Sequence, residues 1–217
     1  MLVISVVGAL ALVAIAFPFV GIGGDSDRPA PVADPVPGKT LSTQRPAAVV
    51  IARADATELL LPIAMERITA IVFRAVDNPE ARELSPGDGL SYEIAEIAGS
   101  SGPKTAGVDV GAPAGTPVFA PIDGTIASVS DYLVAGQVEG YEVLIEPSRG
   151  ASIAVRATQL DPVEGVEIGT RVSAGADVIG RVRDLSRVAE LPVGRFTADA
   201  GNSVHLEVLA TGNIPVG

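Results

Sequence analysis

Hydrophobic positions follow four different patterns along the chain. Residues 1–24, MLVISVVGALALVAIAFPFVGIGG, are apolar and carry no charged side chain. Residues 25–48 are rich in Pro, Ala and small polar residues. Residues 49–100 mix short apolar runs with polar breaks, and residues 101–217 alternate β-branched residues with Gly and Pro. Because each pattern is typical of a different structure, we expect four segments.

The first segment has the length and composition of a membrane span, since about 20 apolar residues cross a bilayer core. No basic residue precedes the apolar run, which argues against a secretory signal. Ala14 and Ala16 could form a small-residue cleavage site, but the run continues to Ile22. The pattern predicts an uncleaved transmembrane anchor, with a cleaved signal segment as the alternative. In both cases the rest of the chain lies on the extracytoplasmic side, and the anchored protein spans the cell membrane once.

The two middle segments are predicted to be a spacer and a small mixed unit. The composition of residues 25–48 cannot bury a core and favours an extended, semi-stiff linker. Residues 49–100 contain short apolar runs interrupted by Pro62 and a turn-rich stretch, NPEARELSPGDG. We expect short strands with some helix there, a small α+β segment that packs on the C-terminal domain.

Residues 101–217 read as a mainly β domain. The stretch GVDVGAPAGTPVFAPIDGTIASVSDYLV, residues 107–134, alternates β-branched residues with Gly and Pro, as short strands joined by tight turns do. Few residues in this half favour a long helix. The pattern predicts a sandwich or compact barrel with many short strands and corners marked by Gly.

Composition excludes several classes of function. The formal net charge is -11, and no basic patch is present that could neutralise nucleic acid phosphates. The chain has no Cys, which excludes a disulfide scaffold and thiol chemistry. It has one His, His205, in an alternating stretch that places Ser203, His205 and Glu207 on one strand face. This His is either a satisfied residue on a sheet face or a metal ligand.

Three blocks of the C-terminal half occur in a distinctive order. They are GVDVGAPAGTPVFAPIDGT (residues 107–125), GTRVSAGADVIG (residues 169–180) and SVHLEV (residues 203–208). Their order and spacing resemble the lysostaphin-type, LytM-like zinc endopeptidases, which cut peptide crosslinks in bacterial peptidoglycan. The resemblance covers residues 106–209 and implies a compact LytM-like β-sandwich of the barrel-sandwich (duplicated hybrid) type.

The resemblance also implies a metal site, because this family uses a zinc with three protein ligands and one open position for water. It places the Asp ligand on Asp109 and the last His ligand on His205. Three family histidines are replaced in this sequence. The first metal His corresponds to Thr105, the first His of the final pair to Ser203, and a separate His to Gln159.

A chain with one His cannot supply this ligand set. Glu207 is not expected to substitute, since side chains two residues apart on a strand are separated by about 6–7 Å. We therefore predict no catalytic residues and no bound metal. Asp109 and His205 are interpreted as remnants of a metal site, in a cleft that also contains the substituted positions Thr105, Gln159 and Ser203.

The predicted function is that of a membrane-anchored, catalytically inactive LytM-like domain that binds or regulates during peptidoglycan remodelling. Its expected partners are a peptidoglycan stem peptide or a cell-envelope protein, together with the membrane through residues 1–24, and no nucleic acid. One alternative is an active zinc-dependent endopeptidase with a ligand supplied by a partner.

A second alternative is a barrel-sandwich protein similar to efflux adaptors, although residues 129–160 are too strand-like for the helical hairpin of an adaptor. A biotinyl or lipoyl carrier is excluded, because the two lysines, Lys39 and Lys104, do not lie at a hairpin tip.

Overall fold

The computed structural model describes residues 48–100, 102–148 and 152–211, all within one compact unit, Ser42–Gly217. These ranges contain thirteen strands and two 3-10 turns and no α-helix. No helix in the described ranges has the length and apolar character needed to span a membrane. The predicted anchor and most of the predicted spacer, residues 1–47, lie outside the described residues.

The strands are numbered in chain order. They are β1 (Val50–Ala54), β2 (Thr57–Leu60), β3 (Ile71–Arg74), β4 (Ser85–Pro86), β5 (Glu93–Ala95), β6 (Gly107–Gly111), β7 (Pro117–Phe119), β8 (Gly124–Val134), β9 (Gln137–Pro147), β10 (Ile153–Asp161), β11 (Arg171–Val172), β12 (Val178–Val182) and β13 (Ser203–Ala210). The 3-10 turns are Met65–Arg67 and Pro192–Arg195.

The strands form two sheets. A three-stranded sheet has the order β2-β1-β4. A ten-stranded sheet has the order β11-β8-β9-β10-β13-β6-β3-β5, and β12 pairs with both β10 and β7. Strands β3 and β5 pair in parallel, and the other described pairs are antiparallel. The prediction of a mainly β fold is confirmed, while the helix expected within residues 49–100 is reduced to the turn Met65–Arg67.

One hydrophobic cluster receives side chains from both sheets. Ile51 and Leu59 enter it from the three-stranded sheet, and Val108 and Leu206 enter it from the ten-stranded sheet. Strand β3, in the segment before residue 100, pairs with β6 of the C-terminal half. Residues 71–74 therefore extend the sheet that carries Asp109, which brings the two halves of the chain together at the candidate site.

Candidate functional site

Two rows of residues cross the four adjacent strands β3, β6, β13 and β10. In an antiparallel ladder, paired residues point to the same sheet face, and so do residues two apart on one strand. The register therefore gathers eight positions on one face. They are Val72, Asp109, His205 and Thr158 in one row, and Arg74, Gly107, Glu207 and Arg156 in the next. The other face of these strands contributes Phe73, Val108 and Leu206 to the hydrophobic core.

Five charged side chains on this face form a chain of alternating charge, here named the charge chain: Arg74, Asp109, His205, Glu207 and Arg156. Arg74 Nε donates to Asp109 Oδ2 over 2.6 Å, and Asp109 Oδ1 lies 2.9 Å from His205 Nδ1. His205 Nε2 lies 2.9 Å from Glu207 Oε1, and Arg156 Nη2 donates to Glu207 Oε2 over 2.6 Å. Each carboxylate thus lies between two cationic groups.

The contacts of His205 favour its protonated form. An ionised carboxylate can only accept, so the imidazolium, which donates from both ring nitrogens, satisfies the two carboxylates that face them. Burial and the charge of Arg74 lower the pKa of His205, but Asp109 and Glu207 outweigh them and the pKa is raised. Arg74 Nη2 also lies 3.2 Å from His205 Nδ1. In the imidazolium state Nδ1 cannot accept from Arg74, so this contact is a repulsion between two cations that the Asp109 carboxylate between them offsets.

The two carboxyl groups are held ionised by the same contacts. Burial raises the pKa of Asp109, but the charges and hydrogen bonds of His205 and Arg74 outweigh burial and lower the pKa. Burial likewise raises the pKa of Glu207, but His205, Arg156 and a hydrogen bond from Asn78 lower it to about 2. The Asn78 amide donates to Glu207 Oε2 over 3.0 Å.

The centre of the charge chain is buried. Asp109 is 0% exposed, His205 3% and Glu207 5%. The ring of His205 fits because residue 107 is a glycine: a Cβ there would lie 2.5 Å from His205 Cε1. Gly107 therefore creates the space in which the imidazole reaches Asp109 on one side and Glu207 on the other.

The remaining predicted site positions form a separate contact. Ser203 Oγ donates to Gln159 Oε1 over 3.0 Å, and both residues are buried. Gln159 has a left-handed φ of 67°, at an irregularity in the pairing of β10 with β9. Thr105 lies in a turn before β6, where its carbonyl accepts a hydrogen bond from the Leu84 amide. The structure thus joins Asp109 to His205 and Gln159 to Ser203, and among the described residues Thr105 bonds to none of these four.

Sequence reasoning missed Arg74, Arg156 and Asn78, and the expected separation between the Glu207 and His205 side chains was wrong. The expected separation of about 6–7 Å applies to positions along the strand, whereas the long Glu207 side chain bends toward the ring and closes the gap to 2.9 Å. The shared strand face of His205 and Glu207 was the available signal. No comparable local signal identified Arg74, because its partner is 35 positions away.

Comparison with known proteins identifies the family. The sequence model of peptidase family M23 matches residues 103–214, about half of the chain. The chain belongs to peptidase family M23. The LytM-like resemblance inferred from the sequence is confirmed. No curated protein matches this M23 chain in sequence.

Several solved structures are similar to this M23 chain. A structure of the SpoIIQ-SpoIIIAH pore forming complex is 18% identical with a TM-score of 0.40, over 76% of this chain and 87% of that one. Lysostaphin is 19% identical with a TM-score of 0.35, over 50% of this chain and 38% of its own. A zinc-containing peptidase from Vibrio cholerae is 21% identical with a TM-score of 0.40, over 74% and 38%. The matched region thus spans well under half of the latter two chains.

The residues of this M23 domain do not fit the zinc of the family. A catalytic zinc needs three protein ligands whose lone pairs converge on it. Asp109 and Glu207 contact opposite nitrogens of the single imidazole. A metal ion at either ring nitrogen would therefore have that nitrogen and one carboxylate as ligands, which is one ligand short of three. Both nitrogens already donate to those carboxylates, and the Arg74 guanidinium adds a positive charge beside Asp109. In the described part of the chain, no three His, Cys, Asp or Glu side chains are grouped to hold a metal.

Proposed function

We propose that this M23 protein is a non-catalytic binding module of the cell envelope. It contacts an envelope protein or a peptidoglycan stem peptide and regulates wall remodelling without cutting peptide bonds. Residues 1–24 anchor it in the cell membrane, and the linker 25–48 holds the M23 domain away from the membrane on the extracytoplasmic side. The observation that carries the proposal is the charge chain, in which Asp109 pairs with Arg74 and His205, and His205 pairs with Asp109 and Glu207.

The chemistry of the site supports this proposal. Zinc peptidases activate water through the metal, which lowers the pKa of the bound water and polarises the carbonyl of the substrate. Here the two positions that match family ligands form a buried ion pair between the Asp109 carboxylate and the His205 imidazolium. An imidazolium has no lone pair to accept a proton from water, so it cannot act as a general base. The charge chain therefore provides no hydrolytic group.

The proposal is tested by metal analysis and hydrolysis on the purified full-length protein. We expect less than stoichiometric zinc after incubation with the ion, and no soluble muropeptide released from isolated peptidoglycan. A catalytically active M23 peptidase assayed on the same material serves as the positive control. The non-catalytic function would be overturned if the unaltered protein bound about one zinc per chain and released muropeptides, and if His205→Ala no longer bound that zinc.

The efflux-adaptor alternative finds no support in the geometry. The described residues within 129–160 belong mainly to β8, β9 and β10, and β8 is joined to β9 by a two-residue turn. No helical hairpin occurs among these described residues.

A further inference from the structure

An exposed apolar surface lies at one edge of the ten-stranded sheet. It consists of Met65, Tyr92, Ile94 and Phe196, here named the β5 patch, whose exposed fractions are 52%, 40%, 45% and 40%. Met65, Tyr92 and Phe196 line one groove of about 400 Å³. Large apolar side chains that gather on a surface mark interaction sites more often than isolated ones do. The β5 patch is therefore a candidate docking surface.

The strand beside this groove has a free edge. Within the described ranges β5 pairs with β3 alone, at the end of the sheet order. A strand directs its backbone N–H and C=O groups alternately to its two sides, so an edge strand presents groups that an incoming extended segment can pair with. The groove and the strand edge together offer both apolar contacts and backbone hydrogen bonds.

The apolar face of the sheet continues into the β5 patch. Ile94 is the β5 partner of Phe73, which is buried in the core. The Tyr92 ring packs edge-on against Phe73, with 5.2 Å between the ring centroids. Tyr92 and Ile94 thus extend a core-forming face to the surface, which favours an occupant with alternating apolar side chains.

Charge selects among possible occupants. Among the described residues that line the groove, Glu93 alone is charged. Two copies of the chain paired through β5 would bring Glu93 near its own equivalent, on proteins with a net charge of -11 each. Like charges facing each other across an interface disfavour that pairing. A segment with a basic side chain would instead complement Glu93.

The free edge of β8 is protected against pairing. Strand β11 covers β8 only at Gly124 and Thr125, and backbone bonds from Ile126 extend this cover by one residue. The rest of β8 carries exposed Asp131 and two irregularities in its register with β9. Bulges and charges are the usual devices that prevent edge-to-edge association. Strand β5 has three residues, and exposed Tyr92 and Ile94 border its free edge.

We propose that the β5 patch binds an extended apolar segment of a partner protein, which adds to the edge of β5 and places a basic side chain against Glu93. The inference rests on the proposed function as a binding module, and it names the surface and the chemistry of the partner.

A peptide-binding measurement tests the surface. The probe is a fluorescein-labelled nine-residue peptide of alternating Val and Lys, titrated with the full-length protein in detergent and compared with a peptide of alternating Val and Glu. We expect the Lys peptide to bind about tenfold more tightly than the Glu peptide, and Glu93→Lys to reverse this preference. Asp131→Lys, on the protected edge, is the matched control because it changes the net charge equally. Equal losses of Lys-peptide binding in both variants would overturn the proposal.

A second pair of variants tests the apolar contact. Ile94→Asn is expected to weaken binding of the Lys peptide by at least about tenfold, because a neutral polar amide replaces the apolar side chain against which Val would pack. Val138→Asn, at a hairpin position that is 56% exposed, is the matched control and should keep the affinity. Circular dichroism verifies folding of each variant, and the Glu93→Lys comparison stands even if Ile94→Asn fails to fold. Unchanged binding by a folded Ile94→Asn variant would overturn the proposal.

Crosslinking in cells identifies the occupant. A photoreactive benzophenone amino acid replaces Ile94 in the full-length protein, and a second protein carries it in place of Val138. Crosslinks from position 94 to a segment of another protein with apolar and basic residues, absent from position 138, would support the proposal. Crosslinks to a second copy, to residues 1–47 or to peptidoglycan peptides would overturn it. Muropeptide release by the protein would overturn the proposed non-catalytic function instead, and it is measured separately from peptide binding.

Discussion

Replacing Arg74 with methionine tests whether the buried Asp109 carboxylate needs both of its cationic partners. The substitution Arg74→Met keeps a long apolar stem and removes the guanidinium that donates to Asp109. The Asp109 carboxylate, which is 0% exposed, then keeps the His205 imidazolium as its one remaining charged contact in the charge chain. We expect a large loss of stability, because a carboxylate held between two cations loses one of them in a dry environment.

The magnitude follows from the burial of the pair. Removing one partner of a buried ion pair typically costs about 3–5 kcal/mol. The Arg74 side chain is 18% exposed, and His205 still neutralises Asp109, so the lower end of that range applies. A loss of about 3 kcal/mol corresponds to a decrease in Tm of roughly 6–12 °C for a domain of this size.

Urea unfolding followed by circular dichroism measures the effect, with the full-length protein as reference. Arg53→Met is the matched control: Arg53 also donates to a carboxylate, that of Glu58, but its side chain is 40% exposed. Exposed pairs contribute little because water and salt screen them, so the control should change the free energy of unfolding little. Equal losses in Arg74→Met and Arg53→Met would refute the argument that the buried Asp109 carboxylate depends on the Arg74 cation.

Three further predictions concern the same network. The pKa of Glu207 is lowered from 4.5 to about 2, so the contribution of its carboxylate to folding stability is complete above pH 4.5 and is lost as the pH falls toward 2. The stability difference between the unaltered protein and Glu207→Gln should therefore shrink across that window by up to about 3 kcal/mol. The pKa of His205 is raised above 6.5, so the contribution of its imidazolium to folding stability is complete below pH 6.5 and is lost as the pH rises through the folded pKa. NMR titration of this single imidazole should give a midpoint above 6.5, and a midpoint below 6.5 would contradict the imidazolium assignment. Gly107→Ala should lower the free energy of unfolding, measured with urea, by about 1–3 kcal/mol, because the new Cβ would lie 2.5 Å from His205 Cε1. Gly194→Ala is the control and should have little effect, since the nearest atoms to its Cβ are 3.8 Å away. Equal stability of both variants would contradict the close packing at Gly107.

The sequence by itself determined the mainly β character and the family. Alternating β-branched residues separated by Gly and Pro predict strands and turns through local backbone geometry alone, and the three blocks between residues 107 and 208 carry the M23 signature. A single His in the chain also showed that the family ligand set is incomplete. These properties depend on residues close together in sequence or on a count, and both can be read without a structure.

Only the tertiary structure decided what Asp109 and His205 contact instead of a metal. Arg74 is 35 positions from Asp109 and 131 from His205, and it reaches both because β3 pairs with β6 beside β13. Strand alternation predicts which face a side chain occupies, but the order of strands in the sheet decides which charges share that face. That order follows from long-range packing of the whole domain, so the cation beside Asp109 could not be predicted from any local pattern.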